Sequence, residues 1–314
     1  MDGWTLRRPG SERINPPSPL ELVHLPTLMQ RTAGRADVAV GLIDGPVASG
    51  HPDLEGAHIK VVSGYGPSCF QSSPACGHGT FVIGILSAKR GSAAPGICPG
   101  CTLILRPIFP ERAEPTIHPP SAAPDELAKA IIEAVDAGAR ILNLSAALAG
   151  SSTARQERLE DALDVCRRRG VIVVAAAGNQ AKVGGTAITR HPWVIPVTAY
   201  DRRGRPSGVS NLGGSIGRHG LGAPGEAVRS LAPPDGTVVS GGTSVAAPFV
   251  SGAIALLWSE FPSATASDIW LAVTQSAGFV RRSVVPPLLD AWAAYHYIAS
   301  RQRGVKETER DKGA

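Results

Sequence analysis

Ala36-Asp37-Val38-Ala39-Val40-Gly41-Leu42-Ile43-Asp44 is a compact, β-rich run that stops on an acid. Four further runs read as strands: Thr102 to Pro107, Arg140 to Leu144, Val171 to Ala175 and Trp193 to Thr198. Helical stretches alternate with them. Pro124 to Gly138 places Leu127, Ile131, Ile132 and Val135 on one face and closes on Gly138, and Gln156 to Gly170 repeats the design. Strands alternating with helices predict a mainly parallel sheet with helices on both faces, a three-layer α/β fold. In such sheets ligands bind beyond the carboxyl ends of the strands, so Asp44 and the Ala177-Gly178-Asn179 segment mark where a site is expected.

Outside this pattern the chain thins. Residues 1–24 are polar and Pro-rich and read as a loose arm, residues 25–302 as the folded domain, and residues 303–314 as a charged, frayed tail. Pro107 to Pro124 reads as a surface loop. The 314 residues are 43% hydrophobic, enough for a sizeable core, and 36 Gly and 27 Pro suit many turns and argue against a helical bundle. The net charge of +5 is dispersed in small groups such as Arg167-Arg168-Arg169, with no aromatic-interleaved basic stripe, so nucleic acid is not expected as a partner. No apolar run reaches the ~18 residues of a membrane span. Met1-Asp2-Gly3-Trp4 opens no signal peptide, and the expected location is cytoplasmic.

Five cysteines are a poor fit to a complete disulfide framework. Cys98-Pro99-Gly100-Cys101 has C-x-x-C spacing, with Cys69 and Cys76 nearby in sequence. Zinc, a local disulfide and unlinked thiols all stay open. Cys166 reads as an ordinary, partly buried thiol.

Three polar residues carry the chemical argument. Taken singly, Asp44 in Ile43-Asp44-Gly45-Pro46 could start a turn. His78 in Cys76-Gly77-His78-Gly79-Thr80 could sit at the mouth of an apolar helix from Phe81 to Ala88. Ser244 in Ser240-Gly241-Gly242-Thr243-Ser244 could cap another. Together they supply what a serine nucleophile needs: an imidazole to take its proton and a carboxylate to orient that imidazole. Glycines before Ser244 permit a sharp turn. Those flanking His78 are expected to relieve crowding around its ring.

The local sequences strengthen this reading. Val40-Gly41-Leu42-Ile43-Asp44-Gly45-Pro46-Val47, followed by His51-Pro52-Asp53-Leu54, resembles the aspartate region of subtilisins. Gly77-His78-Gly79-Thr80 resembles their histidine motif, and Gly242-Thr243-Ser244-Val245-Ala246-Ala247-Pro248 their serine motif. The Asp, His, Ser order is also theirs. Ile141-Leu142-Asn143-Leu144-Ser145 resembles the family's cleft strand, Val174 to Asn179 its pocket wall and oxyanion segment, and Ala223-Pro224-Gly225 another family turn. The resemblance spans about residues 36 to 275. It implies a serine endopeptidase of subtilisin-like fold. Ser244 would be the nucleophile, His78 the proton shuttle and Asp44 its orienting acid, with the Asn179 amide and the Ser244 N–H as oxyanion donors. It further implies that Ser145, Ala146 and Ala147 add a peptide substrate as a strand, that Ala176, Ala177 and Gly178 wall a side-chain pocket, and that the His191-Pro192 bond is cis.

Departures from the pattern are informative. Phe81 stands where many subtilisins carry a second histidine, and Ala147 where a glycine is usual at the pocket rim. The stretch from His78 to Ala93-Ala94-Pro95-Gly96 is too short for the calcium loop of secreted relatives, so neither metal nor cofactor is expected. About 35 residues precede the first core strand, so the folded inhibitory prodomain of secreted relatives is not expected. Leu42 to Val47, Pro95 to Cys101 and Ile104 to Phe109 resemble the subtilases of cyanobactin-type peptide maturation, which implies a ribosomally made precursor peptide as substrate. The ordinary length from Asp44 to His78 lacks the capping insertion of the macrocyclizing members and favours hydrolysis. General intracellular degradation, or a catalytically dead binding module on the same fold, are the alternatives. No H-E-x-x-H pattern supports a metal-dependent hydrolase.

Overall fold

The computed structural model describes residues 16–62, 64, 69, 73–109, 121–145, 147–148, 153–275 and 283–311. Its strands are β1 (Ala39–Asp44), β2 (His58–Val61), β3 (Thr102–Pro107), β4 (Ser121–Ala122), β5 (Ile141–Leu144), β6 (Ala147–Leu148), β7 (Ile172–Ala176), β8 (Val194–Tyr200), β9 (Leu221–Pro224), β10 (Val228–Leu231) and β11 (Thr237–Ser240). Its helices are α1 (Pro19–Leu22), α2 (Leu25–Arg31), α3 (Pro74–Ser87), α4 (Pro124–Asp136), α5 (Thr153–Arg168), α6 (Ala187–Arg190), α7 (Gly214–His219), α8 (Thr243–Glu260), α9 (Ala266–Gln275) and α10 (Ala291–Asp311).

Seven strands form one sheet in the order β2-β3-β1-β5-β7-β8-β9, and every pairing in it is parallel. The subtilisin-like α/β architecture expected from the sequence is therefore present. All six residues of β1 are buried, and they serve two cores. Val40 and Leu42 join α2, α3, α8 and α9 on one face. Ala39 and Ile43 join α4 and α5 on the other. Burial on both faces is why this strand reads as unbroken apolar sequence. Chain order reverses direction at β1, which has β3 on one side and β5 on the other, and a crevice at the carboxyl ends is the usual consequence.

α8 runs through the first core with 16 of its residues buried, Pro248 and Gly252 among them. Each fully buried aliphatic side chain contributes about 1.5–3 kcal/mol. Packing of that size outweighs the ~3 kcal/mol and ~1 kcal/mol that an interior Pro and Gly cost a helix. Gly252 is required sterically, since a Cβ there would lie 2.7 Å from Ile97 Cγ2. On the other face, buried Arg106 of β3 donates to Glu126 and Glu133 of α4, fixing that helix to the strand.

Four sequence expectations need correction. Residues 19–24 are not loose, because Ser18 and Glu21 form a capping box that starts α1. Val23, Leu25 and Leu28 are then fully buried in the core. At the other end, α10 carries the charged stretch to Asp311 as helix. α3 begins at Pro74, capped by Ser73 accepting from the Cys76 N–H, so His78 lies one turn inside the helix and not at its mouth. The cis bond among the described residues is Pro233–Pro234, not His191–Pro192. With the latter trans, the His191 ring reaches past the proline to accept the Trp193 N–H at 3.3 Å, as His51 does across Pro52 for the Asp53 N–H at 3.0 Å.

Most of the Pro107 to Pro124 loop lies outside the described residues, although its end forms β4. Cys69 and Cys76 are disulfide-bonded, whereas Cys98, Cys101 and Cys166 are free, buried thiols. The four neighbouring cysteines thus split into a bridge and a thiol pair. Cys166, wholly buried on α5, has its thiol pushed up to about 12 by burial. No described helix is long and apolar enough to cross a membrane.

Candidate active site

β1 delivers Asp44 to the carboxyl edge of the sheet, where its side chain is fully buried. His78 Nδ1 donates to Asp44 Oδ1 at 2.7 Å, and the same oxygen accepts the Gly45 N–H at 2.6 Å. Asp44 Oδ2 is buried with no hydrogen-bond partner among the described residues. The carboxylate has little water to share its charge with, so its interaction with the imidazole is strong. Burial alone would push the His78 pKa down. The Asp44 charge, and then its hydrogen bond, outweigh this and raise it above the ordinary value. With Nδ1 donating, Nε2 is the free face of the neutral ring, and a third of the side chain is open.

The contact between β1 and α3 is very close. A Cβ on Gly79 would lie 2.4 Å from Pro46 O and 2.6 Å from Gly45 O. One on Gly77 would meet nothing within 4 Å. Gly79 is therefore needed for helix and turn to touch, which seats His78 on Asp44. Relief of crowding around the ring is not what either glycine provides.

Ser244 is the second residue of α8, following Gly242 at φ 124°, a left-handed conformation that favours glycine. It is partly exposed at a helix N-terminus, where unpaired N–H groups and the helix dipole favour negative charge. Asn179 lies beside it: Oδ1 accepts the Thr243 N–H at 2.9 Å, which turns the Nδ2 donor the other way, beside Gly242. Thr243 Oγ1 in turn accepts the Gly178 N–H at 3.1 Å. The two loops are thus laced together through Thr243, a residue whose role the sequence did not disclose.

A second unpredicted device fixes the serine turn from below. Ser251 donates to Asn143 Oδ1 at 2.9 Å, Asn143 Nδ2 donates to Ser145 Oγ at 2.8 Å, and Ser145 Oγ donates to the Ser244 carbonyl at 3.3 Å. This buried chain links β5 to α8. The signal for it was a lone amide inside the apolar run Ile141-Leu142-Asn143-Leu144, since a buried amide must find partners. Ser145, read as part of a substrate edge, thus spends its side chain on the scaffold.

Ala146 lies outside the described residues. Ala147 and Leu148 form β6, one edge of which pairs in parallel with β4. Ala176, Ala177 and Gly178 wall a cavity of about 470 Å³ next to Asn179. Asn211 secures that wall: its Oδ1 accepts the N–H groups of Gln180 and Lys182, and its Nδ2 donates to Ala177 O and Gln180 Oε1.

A buried acid on a histidine, and a serine at a helix N-terminus with an amide donor beside it, are the parts of a serine peptidase. Residues 35–310 match the Peptidase S8 model of the subtilase family, and the chain belongs to that family, whose members are serine endopeptidases. It is 30% identical to fervidolysin of Fervidobacterium pennivorans over 292 residues, covering 83% of this chain and 40% of that protein. To subtilisin DY of Bacillus licheniformis it is 31% identical over 241 residues, covering 74% and 81%. Among solved structures it is similar to a serine-to-alanine mutant of the protease domain of PatA, with TM-score 0.75, 30% identity, and 85% and 97% of the two chains covered. The prenylagaramide maturation protease PagA gives TM-score 0.74, 28% identity, and 87% and 98% coverage. The likeness to cyanobactin-maturation subtilases read from the sequence thus extends to the fold.

Proposed function

We propose that this chain hydrolyses peptide bonds through Ser244, His78, Asp44 and Asn179, and that its substrate is a flexible, ribosomally made precursor peptide. The observation that carries the chemistry is the 2.7 Å His78–Asp44 hydrogen bond at a buried carboxylate. It holds His78 in the tautomer whose Nε2 can take the Ser244 proton. Ser244 Oγ bonds to the scissile carbonyl carbon as its proton passes to His78. The oxyanion so formed accepts from Asn179 Nδ2 and the Ser244 N–H. The C–N bond then breaks, the leaving amine takes the proton from His78, and an acyl-enzyme remains on Ser244. Water, deprotonated by His78, attacks that ester, and Ser244 recovers its proton.

One edge of β6 is taken by β4, so the substrate strand is assigned to the other edge, with the side chain preceding the scissile bond in the cavity walled by Ala176 to Gly178. Strand addition asks for several consecutive extended residues, which folded proteins seldom offer. The similarity to proteases named for the maturation of patellamide and prenylagaramide supports a precursor peptide. Competition between a flexible precursor-like peptide and unfolded casein tests the substrate class. Preferential cutting of the peptide at one bond is expected. Cutting of casein at many scattered sites with comparable kcat/KM would assign a degradative role instead.

A further inference from the structure

The cavity beside Asn179 has a chemical character that the peptidase reading leaves unused. Its apolar lining is Ala176, Ala177, Val183 and Ile188, and among the described residues no aspartate or glutamate lines it. The ionisable residue in that lining is Lys182, exposed at the cavity, with no carboxylate partner among the described residues. Some exposed cations of this chain pair, Lys89 with Glu55 and Arg205 with Asp201 among them. Arg202, Arg203 and Arg218 share with Lys182 the lack of a carboxylate partner among the described residues; what sets Lys182 apart is its place in the cavity wall.

Lys182 is also held in place. Its N–H donates to Asn211 Oδ1 at 3.1 Å and its carbonyl accepts the Leu212 N–H at 2.9 Å. These bonds fix the main-chain position from which the side chain extends at the cavity. Thr186, also in the lining, accepts the Thr189 N–H through its hydroxyl oxygen.

We infer that Lys182 makes this cavity selective for an acidic side chain, so that the residue donating the scissile carbonyl is glutamate or aspartate. The inference rests on the peptidase reading, because a carbonyl placed between Asn179 and Ser244 sends its own side chain toward the adjoining cavity. The ammonium then meets a carboxylate that has left bulk water on one side only. At such an exposed position one ion pair is worth about two- to fivefold in affinity.

The test is a set of quenched fluorescent peptides that differ only in the residue before the scissile bond: Glu, Asp, Gln, Leu or Lys. The unaltered chain is expected to favour Glu over the isosteric Gln by about two- to fivefold in kcat/KM, with Lys the poorest. Raising the salt concentration to about 1 M should shrink that ratio, because screening weakens the pair. K182M should bring the Glu and Gln peptides level, and K182E should reverse the order of Glu and Lys. A Glu-to-Gln ratio near one in the unaltered chain, or a ratio that persists in K182M, would overturn the inference. A fluorophosphonate probe keeps the two readings apart. Labelling of Ser244 at equal rates in all variants, without acid preference, rejects the role of Lys182 alone. No labelling and no cleavage rejects the peptidase reading, and this inference with it.

Discussion

Asp44→Asn isolates what the buried carboxylate does for His78. The substitution preserves size and shape, so the fold should persist. What it removes is the negative charge 2.7 Å from Nδ1. In the unaltered chain that charge and its hydrogen bond overcome the depressing effect of burial, and the His78 pKa lies above the ordinary value of 6.5. A raised value means that His78 is protonated, and unable to act as base, until the pH exceeds it. The acidic limb of kcat/KM should therefore have its midpoint above 6.5. In D44N only burial is left, so the His78 pKa should fall below that of the unaltered chain. Every tenfold loss in the proton affinity of the ring corresponds to about 1.4 kcal/mol of lost charge stabilisation. kcat should drop by about 10⁴, the scale seen when a triad aspartate becomes an amide and the tautomer is no longer held. NMR titration of His78 in an S244A background, assigned by comparison with His78→Gln, reads the pKa without activity. An unchanged or higher His78 pKa in D44N would refute the argument.

Asn179→Ala removes one oxyanion donor and should cost about 10²–10³ in kcat with little change in KM; steady-state kinetics on a single peptide decides it. Gly79→Ala must push against the carbonyls of Gly45 and Pro46 and should lower both Tm and kcat, whereas Gly77→Ala has open space and should gain up to about 1 kcal/mol in helix propensity. If the two alanines behaved alike in thermal unfolding, the close-contact role of Gly79 would fail. Asn143→Ala leaves Ser145 and Ser251 without their shared partner and should destabilise by about 1–3 kcal/mol in chemical denaturation. A neutral result there would mean that the chain of hydrogen bonds does not hold the serine turn.

The five strands read from the sequence are all present, because each lies inside the sheet and its apolar run is dense. β2 was missed because it is an edge strand whose residues are mostly exposed. β9 was missed because Leu221-Gly222-Ala223-Pro224 looks like a turn, although all four residues are buried. The early start of α3 was hidden by Gly77 and Gly79, which local propensity assigns to a loop. Only the approach of the Gly45–Pro46 turn explains a glycine there. Asp44, His78, Asn179 and Ser244 could be assigned their proposed roles from sequence because each stands in a distinctive local motif. Thr243, Asn143, Ser251 and Asn211 were not assigned roles, since what they do depends on partners far away in the chain, 108 positions in the case of Ser251 and Asn143.

The central claim is that Ser244 is an activated nucleophile. Its most direct measurement is reaction with a fluorophosphonate, followed by mass spectrometry of the digested protein. One adduct is expected, on Ser244, absent from Ser244→Ala and greatly slowed in His78→Gln. Failure of the unaltered chain to react, or peptide hydrolysis retained by Ser244→Ala, would contradict it.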